Sequence, residues 1–103
     1  MIRITINDRE LAMSGHAGYA PRGQDIVCAA VSSLYETLCA ANNKLLNKEL
    51  NIAEWPLSVA IRWPKEASIQ AKALVSAFFI GINGIAESYP EYVHIDGDIT
   101  PKP

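Results

Sequence analysis

Two side chains in this sequence can do covalent chemistry together. They are His16 and Cys28, joined by a loop that carries Gly15, Gly18, Gly23 and Pro21. An imidazole that accepts a thiol proton and a thiolate that attacks a carbonyl are the base and nucleophile of covalent catalysis. Asp25 follows the loop and opens an apolar series at helical spacing: Val27, Val31, Leu34, Leu38, Ala41, Leu45. Asp25 is therefore the natural N-cap, which puts Cys28 at the third helical position. There the unpaired N–H groups and the positive end of the helix dipole favour a thiolate. The competing reading is plain: free cysteine is among the most buried residue types, and a histidine among glycines is often a turn residue. First-turn placement and a histidine on the adjoining loop favour chemistry.

Other candidates are less sharp. Asp25 caps the helix and can also contact His16, although its charge opposes a thiolate nearby. Ser32 lies one turn beyond Cys28, where it either reaches the thiol's surroundings or bonds a carbonyl one turn back. Tyr19 lines a substrate groove or simply packs. With Gly15, Gly18 and Gly23 it belongs to a segment, 15–24, expected to act as a gate. His94 faces outward by strand alternation, Cys39 reads as core, and Trp55 and Trp63 read as partner surface or, the safer reading, as core.

The elements that must hold these residues follow from periodicity. Ile2, Ile4 and Ile6 alternate with polar residues, Asn7 to Glu10 read as a turn, and Leu11 and Met13 belong to a second strand that delivers Gly15 and His16. A first helix is expected over Ile26–Lys48, its end weakened by Asn42, Asn43 and Asn47. Leu57–Trp63 alternates as a strand that Pro64 ends. A second helix, about Glu66–Glu87, is apolar on two sides, so both sides should be buried. Gly81 and Gly84 suit a close helix approach. Tyr92–Asp96 reads as a last strand and 97–103 as a loose tail. The order β-β-α-β-α-β gives a small two-layer α/β sandwich, two helices on a mainly antiparallel sheet.

Composition narrows the function. At 103 residues the chain holds one domain, with half its residues hydrophobic and 19% charged. A net charge of −2 without basic–aromatic runs argues against nucleic-acid binding. No apolar stretch runs 18 residues uninterrupted, and the alternating start is unlike a signal peptide, so a cytoplasmic protein without a membrane span is expected. Cys28 and Cys39 lie about 16 Å apart along one helix. That rules out a disulfide between them and a shared zinc site with His16 and His94. No cofactor or metal is called for.

The run Gly15-His16-Ala17-Gly18-Tyr19-Ala20, then Gly23, then Asp25-Ile26-Val27-Cys28-Ala29-Ala30-Val31-Ser32, resembles the signature of the ribosomal-processing cysteine protease family Prp. A weaker similarity extends to Ser88-Tyr89-Pro90-Glu91-Tyr92-Val93. The resemblance implies a Cys–His dyad carried by Cys28 and His16, and a homodimer. It implies a peptide substrate from an N-terminal extension, cut after large apolar residues and before a small one. In cellular members the target is a large-subunit ribosomal protein; phage-borne members process capsid or scaffold proteins. The short first turn and the compact segment Asn47–Pro56, where many members carry a longer acidic hairpin, tilt the reading towards a phage or prophage member. The rivals are a non-catalytic ribosome- or capsid-associated binding module and a different thiol enzyme, such as a transferase.

Overall fold

The computed structural model describes residues 1–97, so all of the expected tail except Gly97 lies outside the described residues. Strands β1 (Ile2–Asn7) and β2 (Glu10–Ser14) form the expected hairpin, in register from Arg3↔Ser14 to Asn7↔Glu10. Helix α1 spans Ile26–Lys44, strand β4 Ser58–Arg62, helix α2 Ile69–Ser88 and strand β5 Val93–Asp96. Strand β3 (Asn51–Trp55), between α1 and β4, is the element that the periodicity missed. The order is therefore β-β-α-β-β-α-β, and the sheet runs β3-β4-β2-β1-β5. Three pairings are antiparallel and β1–β5 is parallel, so the sheet is mixed.

One face of the sheet carries Ile2, Ile4, Ile6, Leu11, Met13 and Ile61, all buried. Both helices join them in one core through Val27, Val31 and Leu38 of α1 and Ala71, Val75, Phe78 and Ile82 of α2. Where Gly81 sits, a Cβ would lie 2.8 Å from Leu34 Cδ1, so the missing side chain is what lets α2 approach α1. Gly84 meets open space and plays no such part.

The two apolar sides expected of α2 pack on the core, through Leu74, Phe78 and Ile85 on one and Ala71, Val75, Phe79, Ile82 and Ala86 on the other. On those sides only Ala77 is exposed, and the exposed surface is a third stripe. Ile69 and Ile80 are 83% and 71% exposed, and Ala73, Ala77 and Gly84 continue the same outward stripe. By length and composition α2 is apolar enough to cross a membrane, despite the interruptions at Lys72 and Ser76. The periodic burial of its inner side shows it here as a core helix.

The end of α1 is decided by a side chain that periodicity could not weigh. Asn42 is 5% exposed. It donates from Nδ2 to the Leu50 carbonyl at 3.0 Å and accepts the Leu50 N–H on Oδ1 at 2.9 Å. It thus mimics a strand partner for the chain returning into β3. Asn47 and Lys48 take left-handed backbone (φ 49° and 62°) in that return, so the helix stops at Lys44 and not at Lys48. Glu49 then grips Ser68, the N-cap of α2, accepting its N–H and its hydroxyl at 2.6 Å each.

Asn42→Ala would strand a buried donor and a buried acceptor of Leu50. Each unsatisfied group costs about 1–3 kcal/mol. A loss of roughly 2–4 kcal/mol in urea unfolding is expected, and a change below about 0.5 kcal/mol would show that the bridge is not needed.

Candidate active site

The site is built where β2 ends and α1 begins. The β2–β4 ladder runs to Ser14↔Ser58, and the Gly15 N–H adds one more bond, to the Leu57 carbonyl at 3.2 Å. Gly15 has φ +88°, and a Cβ there would sit 2.5 Å from the Met1 carbonyl oxygen. Glycine is thus required to turn the chain off the sheet. His16 follows at once. It is exposed and takes part in no hydrogen bond among the described residues.

The loop comes back onto the start of α1. Ala17, buried at 3% exposure, donates its N–H to Cys28 Sγ at 3.2 Å. Cys28 is half-buried and free. A backbone donor aimed at sulfur stabilises negative charge there more than it stabilises the neutral thiol. The residue next to His16 is therefore seated on the thiol.

Asp25 has extended backbone (φ −84°, ψ 98°) and accepts the Cys28 N–H on Oδ1 at 2.9 Å, as the N-cap reading requires. Its other oxygen accepts the Tyr19 N–H at 3.1 Å. One carboxylate thus fixes both the helix start and the middle of the loop. These contacts hold its carboxyl below the usual carboxylate range. The Cys28 N–H contributes most, desolvation opposes, and the Tyr19 and Ala20 N–H groups and the Cys28 side chain add to the lowering. A depressed pKa means that the stabilisation is complete above the ordinary carboxylate range and is lost as pH falls through the depressed value.

Tyr19 is anchored by its ring as well. It meets Tyr89 edge-on at 5.5 Å between centroids and Tyr92 at 5.2 Å. These tyrosines flank the turn from α2 into β5, which is pinned by the Tyr92 carbonyl accepting the Ile2 N–H at 2.8 Å. Sequence reasoning missed this trio. The only signal was a pair of tyrosines astride Pro90. Gly18 and Gly23 take φ +71° and +87° with open space around them, and Pro21 to Gln24 are exposed.

The remaining candidates fall elsewhere. Ser32 is exposed on α1 and its side chain makes no hydrogen bond among the described residues, so its hydroxyl is not tied to the thiol. His94 is exposed and pairs with Asp96 at 3.0 Å. Cys39 is not core: it is half-buried and lines an open depression with Tyr35, Asn42, Lys48, Leu50 and Glu54. Tyr35 donates to Glu54 at 2.8 Å, and burial, Cys39 and Glu54 all push its hydroxyl pKa upward. Trp63 packs against the core, but Trp55 does not: it is 57% exposed in the β3–β4 hairpin. Among the described residues no group of three or more His, Cys, Asp or Glu converges.

The chain and its fold are similar to those of known proteins. The family model of the cysteine protease Prp matches residues 1–94. The ribosomal processing cysteine protease Prp of Mycoplasma pneumoniae is 30% identical, over 93% of this chain and 94% of its own length. The protein of the same name from Mycoplasma genitalium is also 30% identical, over 93% and 95%. Among solved structures, the ribosomal processing protease Prp of S. aureus, in complex with a covalently linked product peptide, is similar with a TM-score of 0.81. It is 25% identical, over 92% of this chain and 95% of that one. A Streptococcus mutans protein gives 0.73 at 30% identity, over 93% and 92%. With nearly the whole chain matched, this protein belongs to the Prp family of cysteine proteases.

Proposed function

We propose that this chain is an endopeptidase that removes a short N-terminal extension from a large-subunit ribosomal protein, with Cys28 as nucleophile and His16 as general base. The observation that carries the assignment of Cys28 is its position in the first turn of α1, with a backbone donor on its sulfur. His16 takes the thiol proton, and Cys28 attacks the peptide carbonyl to form a thioester. The protonated imidazole then donates to the leaving amine, and water, deprotonated by His16, hydrolyses the thioester. N–H groups at the start of α1 stabilise the oxyanion. Asp25 acts through position by holding Cys28 and Tyr19, and Ser32 has no assigned step. The ribosomal target follows the names of the two Mycoplasma relatives. A phage capsid or scaffold protein is the other substrate class, and parallel digestion of both decides between them. The reaction suits the cytoplasm, where thiols stay reduced.

Cys28→Ala should cut cleavage of an apolar N-terminal peptide by at least about a thousandfold. His16→Ala should cut it by about 10²–10⁴, while Cys39→Ala keeps most of it. Full activity in folded Cys28→Ala protein would sink the dyad, and iodoacetamide labelling at pH 6–7 that ignores Cys28 would favour a binding module.

Amide exchange tests the gate. Gly18 and Arg22 to Gln24 should exchange fast in the free protein and slowly with bound peptide, whereas Ala17 and Tyr19 are protected in both. Identical protection of the whole segment with and without peptide counts against gating.

The outward stripe Ile69, Ala73, Ala77, Ile80, Gly84 is the proposed homodimer contact, because an exposed apolar stripe of this length calls for a cover. Sedimentation at micromolar concentration should give twice the 11.2 kDa chain mass, and Ile80→Glu should give a monomer. A monomeric wild type removes this interface.

A further inference from the structure

We infer that the free edge of β3, at Ile52 and Glu54, is a main-chain docking site for an extended arm of the substrate peptide, about three to five residues from the scissile bond. The inference rests on the peptidase reading and gives the substrate a second attachment that is blind to side-chain type.

The two ladders of β4 decide which backbone groups of β3 are free. The Gly15 N–H bonds to the Leu57 carbonyl and the Trp63 N–H to the Arg9 carbonyl. The odd-numbered residues of β4 therefore face β2, and Ser58, Ala60 and Arg62 turn their backbone groups towards β3. Trp55, Ala53 and Asn51 answer them. The backbone groups of Leu50, Ile52 and Glu54 are left pointing out from the sheet edge. The Asn42 amide of α1 takes both those of Leu50. Ile52 and Glu54 have no backbone partner among the described residues. Nor does β3 contain the lysine or proline that blunts many sheet edges against an added strand.

The path from the thiol fixes the occupant. Tyr35 meets Glu54, Asn42 meets Leu50, and Cys39 lines the depression between them with Ile52, so α1 runs alongside this edge. Tyr35, Cys39 and Asn42 continue the helical stripe that begins at Cys28 and Ser32. By the helical rise, Tyr35 and Cys39 stand about 10 and 16 Å beyond Cys28 along the axis. Extended peptide covers that distance in about three to five residues. Ser32, between them, is exposed and leaves the way open. The Asn42–Leu50 bridge closes the far end. At the other edge of the sheet, beside β5, the Tyr19 ring packs on Tyr89 and Tyr92 and fills that side. A peptide that leaves Cys28 along α1 thus arrives at two open donor–acceptor pairs, the match for the main chain of an added strand.

Cys28→Ala protein keeps Cys39 as its one thiol, since the chain has two cysteines. Its alkylation by N-ethylmaleimide is to be timed with two acetylated peptides that carry Leu before the scissile bond and Ala after it. One has a long N-terminal arm and the other a long C-terminal arm. One of the two should slow alkylation about tenfold at saturating peptide, and cutting its arm to about two residues should remove the protection. Methylating single amide nitrogens along that arm should weaken binding about tenfold at alternate positions and little between them, whereas Ser at its side chains changes binding little. In Cys28 protein, Ile52→Pro removes an outward donor and no β3–β4 bond, so it should raise KM for the long peptide to that of the short one with kcat retained. A bulky maleimide on Cys39 of Cys28→Ala protein tests the same groove without altering β3, and should leave the long peptide binding no better than the short. Unchanged alkylation with both peptides, or methylation without the alternation, overturns the inference. So does protection of Cys39 that grows with protein concentration in the absence of peptide, which puts a second copy on the edge. The peptidase reading fails separately, when Cys28 protein leaves both peptides uncut although Cys39 is protected.

Discussion

The site depends on the two oxygens of Asp25. One accepts the Cys28 N–H and the other the Tyr19 N–H. With a single acceptor the helix start would be capped but the loop backbone at Tyr19 would lose its bond to α1, leaving the Tyr19 ring and the burial of Ala17 to hold it. With both, α1 and the loop become one rigid body at the thiol.

Everything else in the fold supplies the two surfaces that this carboxylate joins. The β1–β2 hairpin places Gly15 at a sheet end, and the Met1 carbonyl crowds it so closely that only glycine makes the turn. Leu34 lies against Gly81, which draws α2 onto α1. Through the turn after α2 that approach brings Tyr89 and Tyr92 under the Tyr19 ring. A change in helix spacing would thus be felt at the loop, through packing alone.

The strongest parts of this were legible in the sequence because they are local. Alternating isoleucines, a cap followed by an apolar stripe and a cysteine in the first turn need no knowledge of distant residues. Strand β3 was not legible. Asn51-Ile52-Ala53-Glu54-Trp55 has no clean alternation, and as an edge strand it gains its shape from pairing with β4. The early stop of α1 was hidden for a related reason. Asn42 weakens a helix by propensity, but what it does here is bind Leu50, eight residues later. The two inner sides of α2 were legible from composition, but the third, outward stripe through Ile69 and Ile80 was not singled out. The safer reading of Trp55, as core, rested on the general preference of apolar side chains for burial, against its place beside a turn.

The anchors also restrict which part of the loop has freedom to move. Gly15 is held to the β4 side, Ala17 to sulfur and Tyr19 to Asp25 and two aromatic rings. Between Tyr19 and Asp25 the Ala20 N–H faces the Asp25 carboxylate, and beyond it the Gln24 N–H donates to the Pro21 carbonyl at 2.9 Å. Gly23 has open space around it, and the segment from Pro21 to Gln24 is exposed throughout. Displacing that short segment sacrifices one solvent-exposed hydrogen bond, whereas displacing Ala17 uncovers the Cys28 sulfur and breaks into the core. The proposed opening is therefore cheapest at Pro21 to Gln24, with His16 and the Ala17–Cys28 contact left in place. A site built this way can admit an extended chain without being taken apart to do so.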